Sequence, residues 1–275
     1  MQRSAVSWEA ILMQLADSCA KKHRICRKTD NEQEVIYMKI SSATSVGCIR
    51  PLNEDSYFVS EPDSGTVLAV VADGMGGHNA GEVASGEAVG IIQKDVLGKS
   101  GEPAKDVLVK AISDANREIY EMSIKKQKLS GMGTTITACL ADEKSVTAVQ
   151  VGDSRLYLIR KDEITQITKD HSLVEMLVES GSITKEEARI HPQRNVITRA
   201  VGTDRTVDAD VYEFAPEEKD ILLLCSDGLV NMVEDESILS IIQSAESLDA
   251  AAASLVSEAE RAGGTDNITV ILIQY

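Results

Sequence analysis

Five aspartates in this sequence stand where an apolar run ends or is about to begin. Asp73 closes VLAVVAD and precedes Gly74, and Asp227 closes ILLLCSD and precedes Gly228. Asp153 closes TAVQVGD, Asp266 lies in GGTDN before a final apolar run, and Asp55 sits just ahead of Tyr57-Phe58-Val59. A single aspartate of this kind is commonly a turn residue that bonds its own backbone. Several of the same form point to a shared purpose. If they converge, two carboxylates about 4 Å apart repel by roughly 4 kcal/mol at an effective dielectric of 20. Either their pKa values rise or cations bind. Ligand sets made of oxygen alone suit hard ions such as Mg²⁺ or Mn²⁺. A pair of such ions can hold one water, acidify it and orient it for in-line attack at phosphorus. Arg50, in RPLNED, would offer a planar fork to the phosphate oxygens. The glycines after Asp73 and Asp227 allow a sharp bend and close approach of a carbonyl to a ligand.

Elements must carry these residues. Residues 67–73 read as a buried strand ending at a glycine turn, and 82–97 and 105–126 have helical spacing. Residues 134–141, 145–152 and 155–160 are β-rich runs with short turns, a meander to which 163–168 adds another strand. Residues 172–180 are helical, with Gly181 at the expected stop. Residues 207–214 alternate, 221–225 form a continuous apolar strand, 235–243 and 248–262 are helical, and 268–275 is the last strand. Short turns imply mainly antiparallel sheets. Long helices in pairs, after Asp73 and after Asp227, imply sheets covered by helical layers, an α+β fold. Met122, Met132 and Met176 are expected to pack in or near the core, and Glu82 and Glu87 to lie on solvated helix faces.

Residues 1–37 differ from the rest. They hold six basic and five acidic residues, so the remaining chain carries about −17 of a net charge of −16. Trp8, Ile11, Leu12, Leu15 and Cys19 follow the spacing of a short amphipathic helix. The segment is either a docking helix or a dispensable extension, with Met38 the natural start of the domain. An acidic chain is a poor general binder of nucleic acid or anionic membrane. No apolar stretch reaches the ~18 residues of a membrane span. Glu9, Gln14 and Asp17 interrupt the one candidate signal-peptide core. The five cysteines, Cys19, Cys26, Cys48, Cys139 and Cys225, form no C-x-x-C pair and are too sparse for a disulfide framework. A reducing cytoplasm is the expected setting.

Competing chemistries lack their motifs. No cysteine has arginine six residues on, as cysteine phosphatases need, and there is no P-loop and no complete G-x-G-x-x-G. The residue two before Asp73 is Val71, against a D-x-D-G nucleophile, and no G-x-S-x-G elbow occurs.

Six strings appear in order: Arg50-Pro-Leu-Asn-Glu-Asp55, Val71-Ala-Asp-Gly-Met-Gly-Gly-His78, Gly131-Met-Gly-Thr-Thr135, Val151-Gly-Asp-Ser-Arg155, Cys225-Ser-Asp-Gly-Leu229 and Gly264-Thr-Asp-Asn-Ile-Thr269. Together, over about Met38 to Tyr275, they closely resemble the metal-dependent Ser/Thr protein phosphatases of type 2C (the PPM family) in their bacterial single-domain form. The resemblance implies a four-layer sandwich of two antiparallel β-sheets flanked by pairs of helices. It implies hydrolysis of phosphoserine and phosphothreonine in phosphorylated proteins, by water and without a phosphoenzyme. Two Mn²⁺ or Mg²⁺ ions would bind, with a third in bacterial members. Asp73 would bridge two metals, the Gly74 carbonyl would ligate one, and Asp227 and Asp266 would complete the other shell. Asp153 and Asp227 match the third site, Glu54 and Asp55 would hold metal-bound waters, and Arg50 would bind the substrate phosphate. Residues 172–206 match the flap beside the active site. Many eukaryotic members place a histidine, a proposed general acid, directly after Asp-Gly; here that position is Met75, so the general acid is unassigned. An opposing Ser/Thr protein kinase and a monomeric state are further expectations. His171 and His191, in or near the flap, are expected to be structural or solvated, and Thr134 and Thr135 to position backbone.

Two rivals remain. An N-terminal-nucleophile hydrolase would need Ser41 or Thr44 at a mature N-terminus. A non-catalytic regulatory module on the same fold would be expected to have lost metal aspartates, and all are present.

Overall fold

The computed structural model describes residues 38–61, 65–76, 80–99 and 101–275. The amphipathic helix expected within residues 1–37, and His78, lie outside them. The longest apolar runs became strands covered on both faces. β3 (Thr66–Met75) sends Val67, Ala69 and Val71 toward one partner layer and Leu68, Val70 and Ala72 toward another. β10 (Ile221–Cys225) and β11 (Ile268–Gln274) do the same. With no solvated face there is no polar alternation, so such strands read as continuous hydrophobic segments.

Two sheets result, with antiparallel pairing throughout. One runs β1-β11-β10-β7-β8, adding β1 (Lys39–Ser45), β7 (Arg155–Arg160) and β8 (Glu163–Gln166). The other runs β2-β3-β5-β6-β9, adding β2 (Asp55–Val59), β5 (Ile136–Asp142), β6 (Val146–Val151) and β9 (Asp210–Phe214). The short β4 (Gly133–Thr134) pairs with the end of β3. Between the sheets lies a core that includes Val67, Val71, Leu156, Leu222, Leu224 and Ile271. Outside the second sheet pack α1 (Ala80–Val96) and α2 (Ala104–Lys125), burying Ala84, Ile92, Leu108 and Ile112. Outside the first pack α6 (Asp235–Ser244) and α7 (Leu248–Arg261), preceded by the single turn α5 (Asp227–Val230). This is the expected α+β four-layer sandwich.

Between β8 and β9 the chain makes α3 (Leu173–Glu179) and α4 (Lys185–Arg189), neither with a buried residue. Ser172 caps α3 by accepting from the Glu175 amide. Met176 therefore corrects an expectation. It is 56 % exposed, because α3 has no layer to pack on, whereas Met132 is fully buried. Glu82 and Glu87 are exposed, as expected.

Candidate active site

The five aspartates meet at one end of the sandwich, and the topology accounts for it. β2 and β3 pair with Asp55 directly opposite Asp73, so these two carboxylates start as cross-strand neighbours in one sheet. β10 and β11 pair in the other sheet. Asp227 follows the end of β10, and Asp266 precedes the start of β11. The turn carrying Asp153 joins β6 to β7 and so crosses from one sheet to the other. Two glycines permit this convergence. A Cβ on Gly74 would stand 2.1 Å from the Gly81 carbonyl oxygen, and one on Gly228 would stand 1.9 Å from that of Asn267. A side chain at either position would push the adjoining aspartate out of place.

Electrostatics show how closely the group is gathered. Burial, followed by the charges of Asp55, Asp227, Asp153 and Asp266, holds Asp73 far above the usual carboxylate range. Burial and then Asp227 do the same to Asp153. Asp55 is raised to about 7, mainly by burial, against the pull of two hydroxyls. Asp227 is raised to about 6 by burial and then by Asp266. Burial also raises Glu54, opposed by Arg50.

Hydrogen bonds satisfy part of this set. Asp55 Oδ2 accepts from Ser226 Oγ and Thr269 Oγ1, both at 2.7 Å. Asp227 Oδ2 accepts from Asn231 Nδ2 at 2.9 Å. The other oxygen of each, Asp55 Oδ1 and Asp227 Oδ1, is buried without any donor. Unpaired buried carboxylate oxygens inside a cluster of like charges call for cations. The donor set, all oxygen, fits Mn²⁺ or Mg²⁺. Among the described residues no three acidic, His or Cys side chains close tightly enough to enclose an ion by themselves.

Backbone clamps fix the ligand positions. The Asp73 amide donates to Thr135 Oγ1, and its carbonyl accepts from the Thr135 amide and from Thr134 Oγ1, each at 2.9 Å. Thr135 Oγ1 also shares a 2.7 Å bond with Ser154 Oγ, beside Asp153. These threonines position backbone, as expected. Asn267 was given no role by sequence reasoning. Its Nδ2 donates to the carbonyls of Val46 and Leu52, and its Oδ1 accepts from the Glu54 amide. It thereby ties down the loop carrying Arg50. Ser226 and Thr269 were missed too. Their signal was a hydroxyl in an otherwise apolar strand string.

Arg50 lies on the rim with its side chain 47 % exposed, and its Nη2 donates to Asp266 Oδ2 at 2.8 Å. That bond is the main cause of its raised pKa. Glu54 is partly buried and its amide faces Asn267. His191 serves a local turn, its Nδ1 accepting from the Gln193 amide. Ser41 and Thr44 lie within β1, paired with Leu272 and Thr269.

Residues 51–262 match the family model described as protein phosphatase 2C. The chain belongs to the protein phosphatase 2C family. A serine/threonine phosphatase of Listeria innocua is 40% identical over 235 residues, which are 84% of this chain and 93% of the relative. The crystal structure of the Streptococcus agalactiae serine/threonine phosphatase superposes with a TM-score of 0.81 at 38% identity, covering 86% of this chain and 99% of that one. The catalytic domain of the phosphatase PstP, solved in complex with two manganese ions, superposes with a TM-score of 0.78 at 36% identity. The match covers 86% of this chain and 97% of that domain. The protein phosphatase 2C model thus takes in Asp55, Asp73, Asp153 and Asp227 and ends four residues before Asp266.

Proposed function

We propose that the carboxylate pocket is the active centre of a metal-dependent phosphatase acting on phosphoserine and phosphothreonine in proteins. The observation that carries this is the meeting of five aspartates, drawn from both sheets, in a largely buried cluster with two unpaired carboxylate oxygens and an arginine at its rim. Divalent ions bound there would supply the positive charge this set requires and lower the pKa of a nucleophilic water. Asp73, Asp227, Asp266 and the Gly74 carbonyl would hold two ions, and Asp153 with Asp227 would hold a third. Glu54 and Asp55 would accept hydrogen bonds from water held at that site. Arg50 leaves Asp266 for the substrate and presents its fork to two phosphate oxygens, which fixes the phosphoryl group for in-line displacement. Met75 has no proton to give the leaving alkoxide, and no side chain is assigned that task.

Residues 38–275 are the catalytic unit, a monomer in the cytoplasm opposing a Ser/Thr protein kinase. Mn²⁺ is the favoured ion, by analogy with the manganese-bound relative. Among the described residues no helix is long and apolar enough to cross a membrane.

The test is hydrolysis of p-nitrophenyl phosphate and of a phosphothreonine peptide. Chelator should silence the chain and Mn²⁺ restore it, and residues 38–275 should turn over like the full chain. Partners that merely orient a metal ligand cost about 10–100-fold when lost, so removing a ligand by Asp73→Asn should cost more than ~100-fold. Calorimetry should show weakened Mn²⁺ binding in the same variant. Full turnover by Asp73→Asn would contradict the assignment.

A further inference from the structure

His171 takes no part in the chemistry above, yet it is only 8 % exposed and tightly bonded. Its amide donates to the Gly152 carbonyl at 2.8 Å, and its carbonyl accepts from the Thr198 amide at 2.7 Å. Its Nδ1 accepts from the Gly152 amide at 3.1 Å. A ring nitrogen that accepts an N–H carries a lone pair, so the imidazole proton sits on Nε2. Nε2 is buried without a hydrogen-bond partner, with Asp210 Oδ2 3.3 Å away. The other oxygen of Asp210 takes Arg199 Nη1 at 2.7 Å.

These contacts join two parts of the molecule. The excursion holding α3 and α4 leaves directly after His171 and returns beside it. Ser172 bridges to Ile197, and the Leu173 amide donates to the Val196 carbonyl. On the returning segment the Thr198 amide bonds the His171 carbonyl, and Arg199 bonds the neighbouring Asp210. On the opposite side Gly152 immediately precedes Asp153. Two residues beyond Asp153, Arg155 forks onto Asp170, with Nη2 2.7 Å from Oδ2. Consecutive residues at the root of the excursion therefore grip both ends of the Asp153 turn. The remaining side-chain bonds to that turn come from within the second sheet, through Thr135, Thr137 and Gln150.

We propose that His171, as the Nε2–H tautomer, is a positioning residue that ties the Asp153 turn to the root of the flap, so that divalent-ion affinity at Asp153 depends on that anchorage. This rests on the metal-dependent phosphatase assignment. A hydrogen-bond partner behind a metal ligand is typically worth 10–100-fold in affinity or activity.

Two variants separate positioning from packing. In His171→Asn the amide oxygen can occupy the place of Nδ1 and accept from Gly152. In His171→Gln the longer amide can reach Asp210 but offers nothing at that place. His171→Gln should weaken the weakest Mn²⁺ site about tenfold by calorimetry and lower kcat comparably, with KM for a phosphopeptide unchanged. His171→Asn should recover most of both. A purely structural role would lower the melting temperature of both variants without separating their Mn²⁺ affinities, and that result would overturn the proposal. Nitrogen NMR on the metal-free wild-type chain gives a second readout, which should find Nδ1 bare and Nε2 protonated. A proton on Nδ1 would refute the link even if neither variant folds. Wild-type protein that hydrolyses phosphopeptide while the two variants behave alike sinks only the positioning role. Wild-type protein inert with Mn²⁺ sinks the phosphatase assignment beneath it.

Discussion

Asp55 and Asp227 each hold one buried oxygen that no donor reaches, and their pKa values stand at about 7 and about 6. An aspartate in an unfolded chain titrates near 3.9. The metal-free fold thus prefers these groups protonated. That preference contributes stability in full below the unfolded value and loses it as pH rises through about 6 to 7. In chelator the melting temperature should therefore fall between pH 5 and pH 8. Saturating Mn²⁺ should abolish the fall, because cations replace protons as the compensating charge. Scanning calorimetry at both pH values, with and without Mn²⁺, decides it; a metal-free melting temperature that rises with pH would mean the carboxylates are not crowded. The aspartates were legible in the sequence because each breaks an apolar run beside a small residue. Asn267, Ser226 and Thr269 were not, because their significance is a partner elsewhere. Asn267 acts on Glu54, 213 positions away, and no local pattern records that.

Continuous apolar runs made β3, β10 and β11 readable, and the paired long helices made the layers readable. Elements without a packing signature were harder. The single turn α5 is four residues long and was not anticipated. The alternating run 207–214 pairs with β6 only over Asp210–Phe214. Met176 has helical spacing but no core to face. Glycine is where element-level reasoning becomes testable, because two glycines in helices differ in surroundings. Gly228 in α5 would place a Cβ 1.9 Å from the Asn267 carbonyl oxygen, whereas Gly90 in α1 would meet nothing within 4 Å. Gly228→Ala must shift α5, and Asp227 with it. It should cost about 1–3 kcal/mol by denaturant unfolding and most of the Mn²⁺-dependent activity. Gly90→Ala should instead stabilise by about 0.5–1 kcal/mol and leave activity unchanged. Equal effects from the two changes would mean that the approach of α5 to Asn267 does not place Asp227.

The chain from Met38 onward carries about −17, while the proposed substrate delivers a phosphate dianion to it. Bound cations compensate charge at the site and leave most of the chain's net acidic charge on the rest of its surface. Such a surface repels small anions at long range and attracts cationic peptide. The length over which it acts shrinks from about 30 Å at 0.01 M salt to about 8 Å at 0.15 M. Two substrates should therefore respond to salt in opposite directions at constant saturating Mn²⁺. For p-nitrophenyl phosphate, kcat/KM should rise as salt is raised over that range. For a phosphothreonine peptide flanked by Lys and Arg it should fall, since its flanks lose their attraction to the same surface. Steady-state kinetics at a series of chloride concentrations would read both slopes. A shared sign would show that the bound ions, rather than the body of the protein, govern approach, and the acidic composition would then have no part in choosing substrates.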